Sequence, residues 1–453
     1  MLFYGFICKN GSKKLFLPKI TYLMIQEIRV KNFLSFRDET VLSFEATKDT
    51  TFEDYQVVEV APKVRLLRFA LIYGANASGK TNVIKSIDFL RNFWFKKSWE
   101  IDLGTGVTPF LLDRNTPNEP SRFELRFYVK GMAYRYILVL NESYVLNEEL
   151  YCYRSAQPTM LFKRSHTDGQ SFIEFNTNII KISPAAKEEL TLKCLPDLSF
   201  FTARNQVNLS LDLIDDARNY MRDNILPVIT PRTRMHNYAN KCIMENDELK
   251  KYLLHFIHRA DFNVTNIYTD KINKKIPEET VRKLLKLEPM LSKDIMENLK
   301  NTNALPVLDT QFEHTVKNDR GVETYVLPDF LQSEGTQRTF GIEAAFFRTL
   351  RDNALLAVDE IESSLHPDLI EFILEMFLKE KSRSQLLITS HYDPLLNTVG
   401  DLIRKDGVWF TEKGEAGDTK LYSLTDFKGL NKIRSFQRAY RNGVFGGLPN
   451  IKG

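Results

Sequence analysis

Little in this sequence points to a secreted or membrane-bound protein. Its four cysteines, Cys8, Cys152, Cys194 and Cys242, stand far apart in 453 residues and make no metal-type pair. They read as thiols of a reducing compartment, so the expected location is cytoplasmic. No apolar stretch approaches the roughly 20 residues of a membrane span, and no membrane partner is expected. Neither sign of charge dominates: 62 Lys+Arg against 58 Asp+Glu leave +4, so any surface for nucleic acid must be local. Internal repeats and low-complexity tracts are absent, and no heptad series runs for more than a few turns, which excludes a long coiled coil.

What is present is ordinary in bulk. Hydrophobic residues make up 43% and charged residues 26% of the chain, as in soluble globular proteins. The length suits two or three domains, or one large domain with an insertion. Residues 2–8 are apolar but short, and Lys9, Lys13 and Lys14 follow without a small-residue cleavage site. A signal peptide has the opposite order. Met24 opens a more regular pattern, so residues 1–23 read as an extension or a misassigned start.

The chain is organised around Gly74-Ala75-Asn76-Ala77-Ser78-Gly79-Lys80-Thr81, which fills every fixed position of the P-loop pattern G-x-x-x-x-G-K-[ST]. The apolar run Phe69 to Tyr73 predicts a buried strand before it. Val83, Ile84, Ile87 and Leu90 predict a helix after it. A chance glycine loop would lack both flanks. In this setting Gly74, Asn76, Ser78 and Gly79 belong to a backbone cradle for phosphate oxygens, aided by the helix dipole. Lys80 is expected on the β- and γ-phosphates and Thr81 on Mg²⁺, which makes ATP and Mg²⁺ the expected cofactors.

Before the loop, Ile25 to Phe33 and Thr40 to Phe44 predict strands, and residues 45–63 read as a loop. Glycines and prolines at Gly104, Gly106, Pro109, Pro117 and Pro120 mark turns. Strands are predicted over Arg122–Val129, Ala133–Leu140 and Glu148–Tyr153, with Gly131 turning the first into the second. From about 185 to 300 the pattern is helical, with Leu211–Leu226, Asp247–Arg259 and Glu278–Lys300 as helices and Pro227, Pro231, Pro277 and Pro289 as interruptions. Strand-like sequence returns at Ala304–Glu313 and Glu323–Pro328.

A second cluster follows. Ala354 to Val358 is an apolar run ending in Asp359-Glu360, and Leu386 to Ser390 is another ending in His391. An amphipathic helix is predicted between them, over Asp368–Lys381. Strands alternating with helices argue for a mostly parallel, covered sheet, whose ligands sit at the carboxyl ends of the strands. Asp359 is the expected Mg²⁺ residue and Glu360 the expected general base. His391 is the candidate γ-phosphate contact, although a lone histidine is more often structural. Upstream, Ser333-Glu334-Gly335-Thr336-Gln337 precedes a helix predicted over Thr339–Leu350. Ser333 suits an N-cap, and a serine with glycine amides at a helix start can grip a second phosphate. Gly335, Thr336 and Gln337 complete that candidate set.

Together these motifs resemble the ABC-type ATPases (SMC-like and OLD-like) related to chromosome-maintenance and double-strand-break-repair proteins. The family order is P-loop, signature, Walker B acids, D-loop and switch histidine. Here Gly74–Thr81, Ser333–Gln337, Leu355–Glu360, Ser363-Ser364-Leu365-His366 and His391 stand in that order. Ile28 to Phe36 resembles the family's first strand. Asp359 to Pro367 and Tyr440 to Pro449 resemble a bacterial branch, the ATPase subunits of abortive-infection (AbiL-type) and PARIS-type (AriA-like) anti-phage systems. The resemblance covers residues 24–205 and 304–453. The expected fold is therefore α/β, a P-loop NTPase of ABC type with a mostly parallel sheet, antiparallel strands and a compact helical insertion at 206–303.

The resemblance implies a head-to-tail homodimer at least, with Lys80 of one protomer and Ser333 of the other on the same γ-phosphate. Slow ATP hydrolysis then acts as a switch. It implies a phage-derived trigger and a separate effector, often a TOPRIM-type nuclease. Only 62 residues follow His391, too few for a TOPRIM domain, so the chain is not expected to cut nucleic acid itself. Two features depart from the family: the signature lacks its second glycine, and no glutamine occurs between residues 91 and 150, where the Q-loop falls. Pro109-Phe110 is the candidate replacement. The tail from 427 holds Lys428, Lys432, Arg434, Arg438, Arg441 and Lys452 with no acid. It reads as a solvated basic face, or a dock for an acidic partner or DNA. A DNA-repair ATPase and an ATP-binding protein with little turnover are the competing functions.

Overall fold

The computed structural model describes residues 23–96, 104–260, 263–286 and 293–448. The N-terminal extension through residue 22, Pro289, Pro449 and Lys452 lie outside these residues. The nucleotide-loop strand, Phe69–Gly74, is buried along its whole length. It is the third strand of a five-stranded sheet in the order Leu355–Val358, Gln385–Ser390, Phe69–Gly74, Val408–Lys413 and Thr419–Ser423. The first four run parallel and the last antiparallel. The period of a strand is two, so Phe69, Leu71 and Tyr73 face one core, and Ala70 and Ile72 face the other. One sheet thus divides two cores, which explains continuous apolar runs instead of alternation.

The first core lies between this sheet and a seven-stranded antiparallel sheet built around Leu23–Lys31 and Ser121–Val129. The helix Lys80–Trp94 fills it with Val83, Ile84, Ile87 and Leu90. The two sheets are joined by the buried Gln385 side chain. Its Oε1 accepts from the Ile25 amide at 2.7 Å, and its Nε2 donates to the carbonyls of Ile25 at 2.9 Å and Leu67 at 3.2 Å. The second core packs the helices Glu334–Asp352 and Pro367–Lys379 on the opposite face.

Several expectations are corrected. Residues 45–63 are not one loop: Val57–Ala61 and Val64–Leu67 form a hairpin. Its turn places Lys63, not glycine, at φ 67°, so the usual turn residue is missing. The antiparallel sheet gains two further strands, Thr159–Thr167 and Gln170–Phe175, turned by Asp168-Gly169 with φ 52° and 78°. Within the segment expected to be helical, Asn266–Lys275 is a strand paired with Ala304–Asn318. It is mostly exposed on both faces, so pairing and not periodicity defines it. The helix expected over Glu278–Lys300 is two, Glu278–Leu285 and Lys293–Thr302, on either side of residues 287–292. The helix expected from Thr339 begins at Glu334. Residues 225–229 pair with the edge of Leu355–Val358, the Ile229 amide donating to the Ala357 carbonyl at 3.0 Å.

Glu343 is fully buried within Glu334–Asp352. Its Oε2 accepts from the Tyr252 hydroxyl at 2.8 Å, while Oε1 has no partner. Burial pushes its carboxyl up to about 8, only partly offset by Tyr252. The folded value exceeds the ordinary one, so the contribution to stability is complete below about pH 4.5 and is lost as pH rises through about 8. Glu343→Gln should flatten this dependence and raise stability at pH 8 by roughly 4 kcal/mol. Urea unfolding of both proteins at pH 5 and pH 8 checks it.

Candidate nucleotide-binding site

The loop after Phe69–Gly74 is shaped by the two strands beside it as much as by its own glycines. A Cβ on Gly74 would lie 2.5 Å from the Thr411 carbonyl oxygen. Gly79 has φ 105°, and its Cβ would meet the Thr419 side chain at 2.7 Å. No side chain fits either place. The Ser78 hydroxyl is buried and bonded to Thr411 Oγ1 at 2.6 Å, and Thr419 Oγ1 donates to the Ser78 carbonyl at 2.9 Å. Ser78 therefore builds the loop with its side chain and offers a ligand only its backbone.

Lys80 Nζ donates to the carbonyls of Gly74 at 2.8 Å and Ala75 at 3.0 Å. Burial pulls its ammonium below the usual lysine range, opposed by the charges of Glu360, Glu362 and Asp359. Thr81 Oγ1 lies 2.9 Å from Asp359 Oδ2, and Thr389 Oγ1 donates to Asp359 Oδ1 at 2.6 Å. A hydroxyl and a carboxylate are the hard oxygen donors that Mg²⁺ takes alongside phosphate oxygens, so the pair fits that ion. Glu360 has φ 48°, a left-handed conformation rare for glutamate, and its amide donates to Thr389 Oγ1 at 2.9 Å.

A cavity of about 720 Å³ receives Asn76, Lys80, Thr81, Glu360 and His391. Its far wall is Thr108 to Leu112, together with Leu34 and Ser35. No side-chain amide comes from this wall, which occupies the region where a Q-loop glutamine is missing. Phe110 is buried, and its amide donates to Asn32 Oδ1 at 2.9 Å.

The signature residues stand elsewhere in the protomer. Ser333 caps the helix Glu334–Asp352, accepting from the Thr336 amide at 3.0 Å. Ser333, Gly335 and Thr336 line a second cavity of about 590 Å³ with Arg259, Ser364 and His366. A Cβ on Gly335 would be 2.9 Å from the Ser364 carbonyl oxygen, so this glycine lets signature and D-loop touch. Gln337 is turned away, its amide donating to the carbonyls of Asp329 at 2.9 Å and Gln332 at 3.2 Å. The structure thus unites P-loop, Walker B acids and His391, and leaves the signature apart.

Sequence reasoning missed Thr389 and Glu362. Thr389 is a buried hydroxyl in the apolar run before His391, and that polar interruption was its signal. Glu362 Oε1 lies 2.6 Å from the His391 amide nitrogen and 2.7 Å from its Nδ1. Its signal was a third acid within four residues.

The family model described as "AAA domain, putative AbiEii toxin, Type IV TA system" matches residues 69–397. Two solved structures are similar. The SMC head domain from Thermotoga maritima is 12% identical with a TM-score of 0.37, covering 88% of this chain and 98% of that one. The SmcHead bound to the C-winged helix domain of ScpA is 12% identical with a TM-score of 0.39, covering 89% and 99%. No curated protein matches. Among the described residues no helix is long and apolar enough to cross a membrane.

Gly79→Ala should weaken ATP binding at least tenfold, because both the φ of 105° and the Thr419 contact resist a methyl group. Gly106→Ala is the control, with φ 78° and nothing within 4 Å of the added carbon. It should lose roughly 1–2 kcal/mol of stability and keep ATP affinity. Titration with a fluorescent ATP analogue and thermal melts separate the two.

Proposed function

The chain belongs to the family of AAA domains described as putative AbiEii toxin, type IV TA system, and on that premise we propose that it binds ATP with Mg²⁺ and hydrolyses it slowly between head-to-tail protomers. The observation that carries this reading is the meeting of Lys80, Thr81, Glu360 and His391 around one cavity, with Asp359 bonded to Thr81 behind it, while Ser333 waits at another. A site so divided is completed by a second copy.

In this reading the P-loop amides and Lys80 hold the β- and γ-phosphates. Thr81 and Asp359 hold Mg²⁺, which supplies charge neutralisation on the phosphates. Glu360 takes the proton from the attacking water, and His391 holds the γ-phosphate end. Ser333, as an N-cap with the helix dipole behind it, offers a hydroxyl and amides to the partner's γ-phosphate. The biological role we propose is that of a sensor and scaffold in an anti-phage system, holding a separate effector while ATP is bound. The exposed Lys428, Lys432, Arg434 and Arg438, which carry no ion pair among the described residues, favour a second reading, DNA binding in repair.

Glu360→Gln should lower turnover roughly a hundredfold or more while ATP still binds; normal hydrolysis by this variant would sink the proposed chemistry. Lys80→Ala should abolish ATP binding. Native mass spectrometry of Glu360→Gln with ATP, pulled from cells carrying the neighbouring gene, should show an even-numbered oligomer with the neighbour's product. The Lys80→Ala protein should lose it. An oligomer that carries only DNA would support the repair reading.

A further inference from the structure

The turn after the Walker B strand carries three acids in four residues: Asp359, Glu360 and Glu362. The proposed chemistry uses the first two. Glu362 is left over, and its side chain is only 10% exposed. One oxygen, Oε1, lies 2.6 Å from the His391 backbone nitrogen and 2.7 Å from its Nδ1. A single carboxylate oxygen therefore restrains both the backbone and the ring of one residue. The other oxygen, Oε2, is buried without a hydrogen-bond partner.

Such an arrangement is costly unless the charge is balanced. Two cations from different elements feel its charge. Lys80 feels Glu362 from the loop, and Arg338 feels it from the signature helix Glu334–Asp352. Arg338 is itself buried. Its Nη1 donates to the Thr230 carbonyl at 3.3 Å, and its Nε and Nη2 have no partner. A solvated surface acid needs none of this.

We propose that Glu362 is a positioning residue for His391. By accepting Nδ1–H it fixes the ring, so that Nε2 is the nitrogen left for a ligand in the cavity. The partner of the far nitrogen decides which histidine nitrogen works. A carboxylate, unlike a carbonyl, also balances an imidazolium, the form in which Nε2–H can donate to a phosphate oxygen. The proposal rests on the reading of this cavity as the ATP site for its consequence in turnover, but not for the ring's restraint.

The test uses the full-length protein with nitrogen-15 histidine, the His391 ring resonances being assigned by their loss in His391→Ala. Glu362→Ala should move the His391 Nδ1 resonance to that of an unrestrained ring. It should lower kcat for ATP roughly ten- to a hundredfold, with KM within about threefold. Glu362→Gln, which keeps an acceptor oxygen and the packing, should retain part of both signals and serves if the alanine protein does not fold. An unchanged Nδ1 resonance in the variants, or unchanged kcat in a protein whose wild type turns over, would overturn the proposal. A wild type that hydrolyses no ATP would overturn the nucleotide reading instead, and the ring resonance would still decide the role of Glu362.

Discussion

The carboxylate of Asp359 sits between the hydroxyls of Thr81 and Thr389, and the site depends on that junction. Three segments distant in sequence meet there: the helix after the P-loop, the end of the Walker B strand and the strand that leads to His391. Each contributes one polar group to a place otherwise surrounded by apolar strands. Thr389 serves twice, donating to Asp359 and accepting from the Glu360 amide. That second bond helps hold Glu360 at a positive φ, a conformation that costs of order 1–3 kcal/mol and persists only where its surroundings over-determine it. The threonine in the neighbouring strand thus bears on the geometry of both acids.

The same junction concentrates negative charge, and the cations around it account for the next layer. Lys80 bends back to the Gly74 and Ala75 carbonyls. The ammonium also feels the charges of three acids, Glu360, Glu362 and Asp359. Arg338, on the helix Glu334–Asp352, feels Glu362 and Glu360 with its Nε and Nη2 unpartnered. Burial lowers the affinity of both cations for their protons, and the acids restore part of it. Of the two, Lys80 lines the cavity, so its partly desolvated ammonium is the one open to an incoming anion.

How much of this was legible in the sequence follows from which interactions are local. The P-loop, its flanking strand and its helix share one short stretch, and their pattern placed them correctly. The acids and His391 end buried strands, and apolar runs announce those. Asn266–Lys275 was lost because its residues alternate no face; its partner lies beyond Ala304. The hairpin at Val57–Leu67 was lost because Lys63 occupies the turn position where glycine is the usual signal. Asp168-Gly169 was a legible hairpin turn, and its strands went unread. Ser78 and Gln337 match motifs by position, yet their side chains bond within the protein, which spacing alone does not reveal.

The separation of Ser333 from the P-loop is a matter of connection as well as distance. From Ser333 the helix Glu334–Asp352 runs back to Asn353, which at φ 48° turns the chain directly into the Walker B strand Leu355–Val358. That strand ends in the acids, and the turn beyond them brings the Ser364 carbonyl against Gly335. Signature, helix, strand and D-loop therefore form a closed circuit. Close-packed interiors transmit displacement instead of absorbing it. The Gly335–Ser364 contact leaves no room for a methyl group, and a shift of the D-loop relative to the signature would break it. Ser333 and the acids Asp359 and Glu360 are thus joined twice, through the helix and strand between them and through the Gly335–Ser364 contact.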